Sequence, residues 1–454
     1  MNIHFISIGG SVMHQLAIAL KRKGYQVTGS DDEIFEPSYS NLQKEGILPA
    51  KMGWQPDLVH NGLDAVILGM HARADNPELL KAKELGLPVY SFPEYIFQES
   101  RQKTRVVVGG SHGKTTTTSM IMHVLRHAAM PFDWLVGAKL EGFDQGVNIS
   151  DAPVIVCEGD EYPASAVEKR PKFHFLFPQI ALLTGIAWDH INVFPTYENY
   201  LEQFKIFISM IEPGGVLIFN ETDSELEKLV RSNLRADIRY MAYQVPNNSI
   251  ENGITQVSIG GQSRALKVFG NHNLLNLYAA YYACAELGVS DEVFLDAISS
   301  FTGASRRLEV LAENKQAIIF RDFAHAPSKV KATIDAVKQQ YPDRRLVAVL
   351  ELHTYSSLSA AFMPYYKESL EAADDACVFY SPHAMEIKKM PELPVETVLA
   401  GFAKKGLAVI NHREDLEAWL NGQDLKNSCL LLMSSGNFDG LNLKLLADSI
   451  YAEV

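Results

Sequence analysis

The sequence predicts an α/β chain of three consecutive domains, each a largely parallel sheet whose strands run into polar loops. Three observations predict it. Short apolar or β-branched runs alternate with helical patterns along the chain, the order that produces crossover connections and parallel pairing. The length of 454 residues, at roughly 150 residues per domain, suggests about three domains. At residues 105–118 the stretch RVVVGGSHGKTTTT joins a strand to a glycine turn, Lys114-Thr115 and a helix.

Residues 3–8 read as a strand, followed by Gly9, Gly10 and Ser11 and a helical pattern over 13–23 that Gly24 stops. The next strand, 25–29, ends at Ser30, Asp31 and Asp32. Glycines at the first turn and an acid after the second strand are the layout of a nucleotide-binding doubly wound sheet, although IGGSVM lacks the full G-x-G-x-x-G. Asp31 either bonds a ribose or caps a turn. A strand at 64–69 leads into MHARADNPEL, Pro77 starts a helix, and 89–92 is a further short strand.

Polar residues 101–104 mark the passage to the second domain. In its strand–turn–helix, backbone N–H groups and the positive helix end suit a phosphate. Lys114 suits terminal phosphate oxygens and the Thr115 hydroxyl suits Mg²⁺. The longer phosphate-loop pattern wants Gly where Val108 stands, so the match is to the shorter G-[ST]-x-G-K-[ST]. The alternative is an ordinary glycine turn before a helix. A strand at 153–157 ends in EGDEY, which places Glu158, Asp160 and Glu161 where Mg²⁺ would sit, or forms a solvated acidic turn. The strand 180–184 ends in GIAWDHINVF, bringing Asp189 and His190 to the same edge, as ligands or as structural groups. A turn at 213–215 precedes a strand at 216–219, and 247–268 reads as hairpin material. Gly270 and Asn271 open a helix with Asn273 and Asn276 on one face. Paired side-chain amides suit adenine, whereas capping explains one asparagine and not comfortably both.

FTGASRRLEV is a polar, basic joint to the third domain. There a strand at 317–320 leads into RDFAHAPSKV and a helix to about residue 340. Strands at 346–350, 376–380 and 429–433 lead into ELHTYSSLS, SPHA and SSGNFDG.

Composition narrows the function. A formal charge of -13 gives no global basic field for nucleic acid or an anionic membrane, so an anionic substrate needs local cations such as Lys114. Cys157, Cys284, Cys377 and Cys429 are scattered without metal or disulfide spacing, as in a reduced compartment. No stretch of about 18 apolar residues and no signal-peptide pattern occurs, so the expectation is a cytoplasmic protein.

GGSHGKTTTT, EGDEY, AWDH, GNHNLLN, SRRLE, DFAHAP and SSGNFDG stand in the order seen in the Mur ligases, and the chain resembles that family over essentially its whole length. The resemblance implies an N-terminal Rossmann-like UDP-binding domain at 1–102, a central P-loop-type ATPase domain at 103–306 and a C-terminal Rossmann-like domain at 307–454. It implies ATP and Mg²⁺ as cofactors, and amide-bond formation through an acyl phosphate on UDP-N-acetylmuramate. By motif, Gly110, Ser111, His112, Gly113, Lys114, Thr115 and Thr116 would hold the ATP phosphates. Asn273 and Asn276 would contact adenine, Arg307 the phosphates and Asp322 the ribose. Thr115, Glu158 and His190 would hold metal, and Lys114, Glu158, His190 and Arg307 would carry the chemistry. Gly9, Gly10, Ser11, Asp31, His71, Arg73 and Asn76 would bind the UDP-sugar.

Within the family, KRPKFHFLFPQ, VTGSDDEIFEPSYS and the glycine-poor IGGSVMHQLA resemble the recycling branch, whose acceptor amine is the murein tripeptide L-Ala-γ-D-Glu-meso-diaminopimelate. The alternative is the L-alanine-adding branch of primary synthesis. Phe204, followed by Lys205, occupies the position where several Mur ligases carry a carbamylated lysine, so none is expected here. A nicotinamide-dependent oxidoreductase would leave the Lys114 loop unexplained. A nucleotide-gated binding module would not need Glu158, His190 and Arg307 together.

Overall fold

A computed structural model describes the chain except residues 138, 139, 141, 166, 189–192, 252, 304–306 and 447–454. The chain forms two compact units, one of residues 1–244 with 276–297 and one of 245–275 with 298–454.

The first unit holds two sheets. The smaller is wholly parallel, with β1 (Asn2–Ile6), β2 (Gln26–Ser30), β3 (Ala65–Leu68) and β4 (Val89–Ser91) in the order β2-β1-β3-β4. The larger contains β5 (Thr104–Gly109), β6 (Asp133–Leu135), β7 (Val147–Asn148), β8 (Val154–Glu158), β9 (Ile180–Leu183), β10 (Val216–Asn220) and β11 (Arg239–Tyr243). Their order is β11-β10-β9-β5-β8-β6-β7, and only β7 runs antiparallel to its neighbour. Val106, Val107 and Val108 are fully buried, because a parallel strand covered on both faces needs apolar residues at consecutive positions rather than in alternation. β5 lies between β8 and β9, so the chain leaves it to one side and later returns on the other. Loops at the carboxyl ends around such a reversal open a crevice.

The helix Tyr197–Ser209 is absent from the sequence reading, yet its signal is present. Thr196 caps it by accepting from the Asn199 N–H, and Tyr200, Phe204, Phe207 and Ile208 recur at helical spacing and are buried. Phe204 packs edge-on against Phe173 and Tyr200 at 5.7 and 5.0 Å between ring centroids. Lys205 lies on the outer face and pairs with Glu202 at 3.2 Å.

The second unit holds an antiparallel meander of β12 (Asn248–Glu251), β13 (Ile254–Ile259) and β14 (Gln262–Ala265). Its larger sheet contains β15 (Glu309–Glu313), β16 (Ala317–Asp322), β17 (Arg345–Glu351), β18 (Asp375–Phe379), β19 (Ala408–Ile410) and β20 (Ser428–Met433). The order is β15-β16-β20-β17-β18-β19, parallel apart from β15. The meander is tied to the helix Pro327–Gln340 by a 2.9 Å bond from the Thr255 hydroxyl to the Gln340 side chain. It groups with this unit, of residues 245–275 and 298–454. All four cysteines are free and buried in strands or helices. Among the described residues no helix is long and apolar enough to cross a membrane.

Candidate active site

The helix Lys114–His127 starts from Gly113 at φ 78°, a left-handed conformation that a side chain disfavours. A Cβ there would also stand 2.2 Å from the Asn276 Oδ1. No side chain caps this helix start and no acid occupies its first turn, so its N–H groups and positive dipole end suit an anion. The loop is fastened to the end of β9. The Ser111 N–H donates to the Gly185 carbonyl at 2.8 Å, and the Thr184 hydroxyl donates to the His112 carbonyl. Asn276 accepts from the Thr117 hydroxyl at 3.3 Å, which puts one of the two expected adenine residues against the phosphate loop. Thr116 is buried behind the loop.

The three acids of EGDEY take three different partners. The Thr115 hydroxyl donates to Glu158 Oε1 at 2.7 Å, and the Gly137 N–H donates to Glu158 Oε2 at 3.0 Å. Asp160 pairs with Lys172 at 2.6 Å, and Glu161 pairs with Lys114 at 2.7 Å. Burial alone would lower the Lys114 pKa. The Glu161, Asp160 and Glu158 carboxylates together outweigh burial, Glu161 most, so the ammonium is held above its ordinary value. Burial likewise pushes the Asp160 carboxyl up, but the Lys172 ammonium, Lys114 and the Tyr162 N–H together overcome it and keep the group ionised to lower pH than usual. The hydroxyl–carboxylate pair of Thr115 and Glu158 is a hard-oxygen donor set of the kind Mg²⁺ takes, with phosphate oxygens and water completing its shell. Among the described residues no three His, Cys, Asp or Glu gather as a ready-made metal cage. Asp189 and His190 lie outside the described residues.

A cavity of about 440 Å³ runs between the two sheets of the first unit. Gly10, Ser11 and His71 line it on the β1–β3 side, and Glu158, Asp160 and Lys172 line it on the β8 side. The helix Met13–Arg22 starts at this cavity, again without a side-chain cap or an acid in its first turn. The remaining expected sugar-nucleotide residues have other surroundings. Asp31 is buried and accepts the Gly9 N–H at 2.7 Å, fixing the glycine turn from behind. A Cβ on Gly9 would come within 2.9 Å of that carboxylate. Burial, then Asp32, push the Asp31 carboxyl up to about 6 against the pull of the Gly9 N–H. The Asn76 side chain accepts from the Glu78 and Leu79 N–H groups, capping the helix Pro77–Glu84, and Arg73 is exposed away from the cavity lining.

In the second unit, Asn273 donates to the Phe269 carbonyl at 2.9 Å. The Arg307 guanidinium lies 4.7 Å from the centre of the Phe323 ring. Asp322 accepts the Leu308 and Ala324 N–H groups, both at 2.6 Å, and so fastens the joint to β16. Its burial outweighs the nearby Arg307 cation and these bonds and raises its pKa. Sequence reasoning missed the Lys114–Glu161 and Lys172–Asp160 pairs. A basic KRPK run shortly after an acidic turn is the signal that could have found the second.

Three descriptions of the Mur ligase family match the chain: the Mur ligase family catalytic domain over residues 2–104, the Mur ligase middle domain over 108–284 and the Mur ligase glutamate ligase domain over 306–436. The chain is similar to the UDP-N-acetylmuramate–L-alanine ligase of Carboxydothermus hydrogenoformans, at 32% identity over 98% of this chain and 96% of the relative. It is similar to the enzyme of the same name from a Sulfurihydrogenibium species at 30% identity, over 97% of this chain and 96% of the relative. Among solved structures, the Thermotoga maritima UDP-N-acetylmuramate–alanine ligase matches with a TM-score of 0.68 at 20% identity, covering 100% of this chain and 99% of that one. The Psychrobacter arcticus murein peptide ligase matches with a TM-score of 0.64 at 22% identity, covering 99% of both chains.

The relatives at 30–32% identity over nearly the full length overturn the expectation of the recycling branch and its murein tripeptide. Of the segments behind that expectation, Phe173, His174, Phe175 and Leu176 of KRPKFHFLFPQ are buried, while Lys172 of the same run lines the cavity, and Asp31 of the early segment holds the Gly9 turn. With all three domain descriptions matched in order, the chain belongs to the Mur ligase family of ATP-dependent, amide-bond-forming ligases of peptidoglycan biosynthesis.

Proposed function

We propose that this chain joins L-alanine to UDP-N-acetylmuramate, producing ADP and phosphate, in the cytoplasm. The relatives' shared activity over nearly the full length supports the acceptor assignment. One geometric observation carries the chemistry: Lys114, Thr115 and Glu158 meet at the carboxyl edge of β5 and β8, and Glu158 also lines the cavity that reaches the Gly10 turn.

In this reading the domain boundaries fall at 1–102, 103–306 and 307–454. The cavity takes the UDP-sugar, with its diphosphate toward Gly10 and Ser11, and Gly110 to Thr116 take the ATP phosphates. By the family's motifs, Asn273, Asn276, Arg307 and Asp322 would contact the nucleotide, and Glu158, Thr115 and His190 would hold Mg²⁺. Bound Mg²⁺ supplies charge neutralisation between two anionic reactants.

A carboxylate is a poor electrophile, and phosphorylation gives it a leaving group. A carboxylate oxygen of the acceptor forms the new bond to the γ-phosphorus while the bond to ADP breaks. The alanine amine then attacks the carbonyl carbon and loses a proton, and phosphate departs with that same oxygen. Lys114 exchanges Glu161 for phosphate oxygens and stabilises the charge that builds there. With ¹⁸O in the acceptor carboxylate, one label should appear in the released phosphate. Unlabelled phosphate accompanying amide formation would rule the mechanism out.

A further inference from the structure

We propose that Lys172 receives the carboxylate of the acceptor sugar and holds it for phosphorylation; this deepens the reading above and rests on it. The charge balance of the cavity leads to Lys172. At the β8 end Glu158 and Asp160 line the wall, and two carboxylates there repel an anionic acceptor. Lys172 is the one lysine or arginine among the described lining residues. Its ammonium lies 2.6 Å from Asp160, which offsets that acid and leaves further N–H donors of a partly exposed group for a ligand.

The backbone around Lys172 is fixed on both sides. Pro171 precedes it at φ -53°, and the Lys172 N–H donates to the Tyr162 carbonyl at 2.9 Å. The Phe173 N–H donates to the Asp160 carbonyl at 3.1 Å. Phe173 is fully buried, with its ring 4.8 Å from that of Phe207. The turn that carries the lysine is therefore bonded directly to the turn that carries Asp160 and anchored in the core behind it. The ion pair with Asp160 already holds the ammonium at the cavity wall, which lowers the freedom it loses on meeting an anion. The diphosphate has its own receptor across the cavity at Gly10, Ser11 and the uncapped helix start, so Lys172 is left for the sugar's carboxylate.

The test compares two nucleotide sugars that differ in that group. UDP-N-acetylmuramate carries a lactyl carboxylate, and UDP-N-acetylglucosamine lacks it. Binding of each is titrated against the wild-type chain and against Lys172→Met and Lys172→Arg, with ADP binding followed as a check that the central domain is folded. The expected result is a loss of roughly 10- to 100-fold for UDP-N-acetylmuramate in K172M, the scale of a hydrogen bond to a charged group. UDP-N-acetylglucosamine and ADP binding stay unchanged, and K172R recovers part of the loss. Equal losses for both sugars would place Lys172 on the diphosphate and overturn the inference, as would no loss for either. A K172M chain that no longer binds ADP is replaced by Lys172→Gln, read on the same ratio between the two sugars. Wild-type chain that binds neither sugar would instead remove the functional reading on which the inference rests.

Discussion

At the scale of single residues, the site is a set of pairings that ligands must rearrange. Lys114 faces the buried Glu161, so Lys114→Met removes both a phosphate-binding cation and the partner of a buried acid. Turnover should fall roughly 10²- to 10³-fold, the effect of deleting one charge-stabilising donor. Stability should fall by about 3 kcal/mol, as when one member of a buried pair is lost. Adding Glu161→Gln should restore the melting temperature and leave turnover low. Recovery of turnover in the double variant would show that Lys114 has no role beyond its ion pair. Asp31 gives a pH-dependent case. Its pKa of about 6 in the folded chain lies above the ordinary value of about 4. Its contribution is therefore fully present below pH 4 and is lost as the pH rises through 6. Asp31→Asn should gain stability relative to wild type between pH 4 and 7, by at most on the order of 3 kcal/mol, and level off above. A melting difference that stays flat with pH contradicts this. Asp31 was legible as an important acid because it follows a strand. Its place behind the turn was not legible, since sequence spacing does not say which way a side chain points.

At the scale of elements, the phosphate loop, its helix and the strands that feed it were legible because each rests on local chemistry. The valine run, the glycines and the Lys-Thr pair require no distant contact to be recognised. The short strands β6 and β7 were not recognised, because neighbours far along the chain stabilise them more than local preference does, whereas the helix Tyr197–Ser209 was missed although its Thr196 cap and apolar spacing are local. The contact between Asn276 and Gly113 is of that long-range kind and makes a sharp test. Gly113→Ala adds a methyl group where Asn276 stands, and forces a positive φ that costs about 1 kcal/mol. Nucleotide binding should weaken at least roughly tenfold, since one pKa-sized unit of 1.4 kcal/mol is a factor of ten. Combining it with Asn276→Ala should relieve the clash but not the backbone strain, so binding recovers only in part. Titration with ADP reads both, with the double variant compared with Asn276→Ala alone because Asn276 is itself placed in the nucleotide site. Equal binding by those two would assign the whole defect to the clash, and an undiminished gap between them would assign it to the backbone.

At the scale of the whole molecule, the three α/β domains and the family were legible from motifs spread from Gly9 to Asp439, because most of them mark the carboxyl end of a strand. The acceptor was not. Segments chosen for their likeness to the recycling branch are in part core, Phe173 and Phe175 among them, and a buried packing residue does not touch the amine. The measurement that tests the central claim most directly is phosphate release from ATP and Mg²⁺ in the presence of UDP-N-acetylmuramate, with and without L-alanine, together with the mass of the nucleotide product. The account predicts release that depends on both substrates and a product heavier by one alanyl residue. Release that ignores L-alanine, or that requires a murein tripeptide in its place, would contradict it.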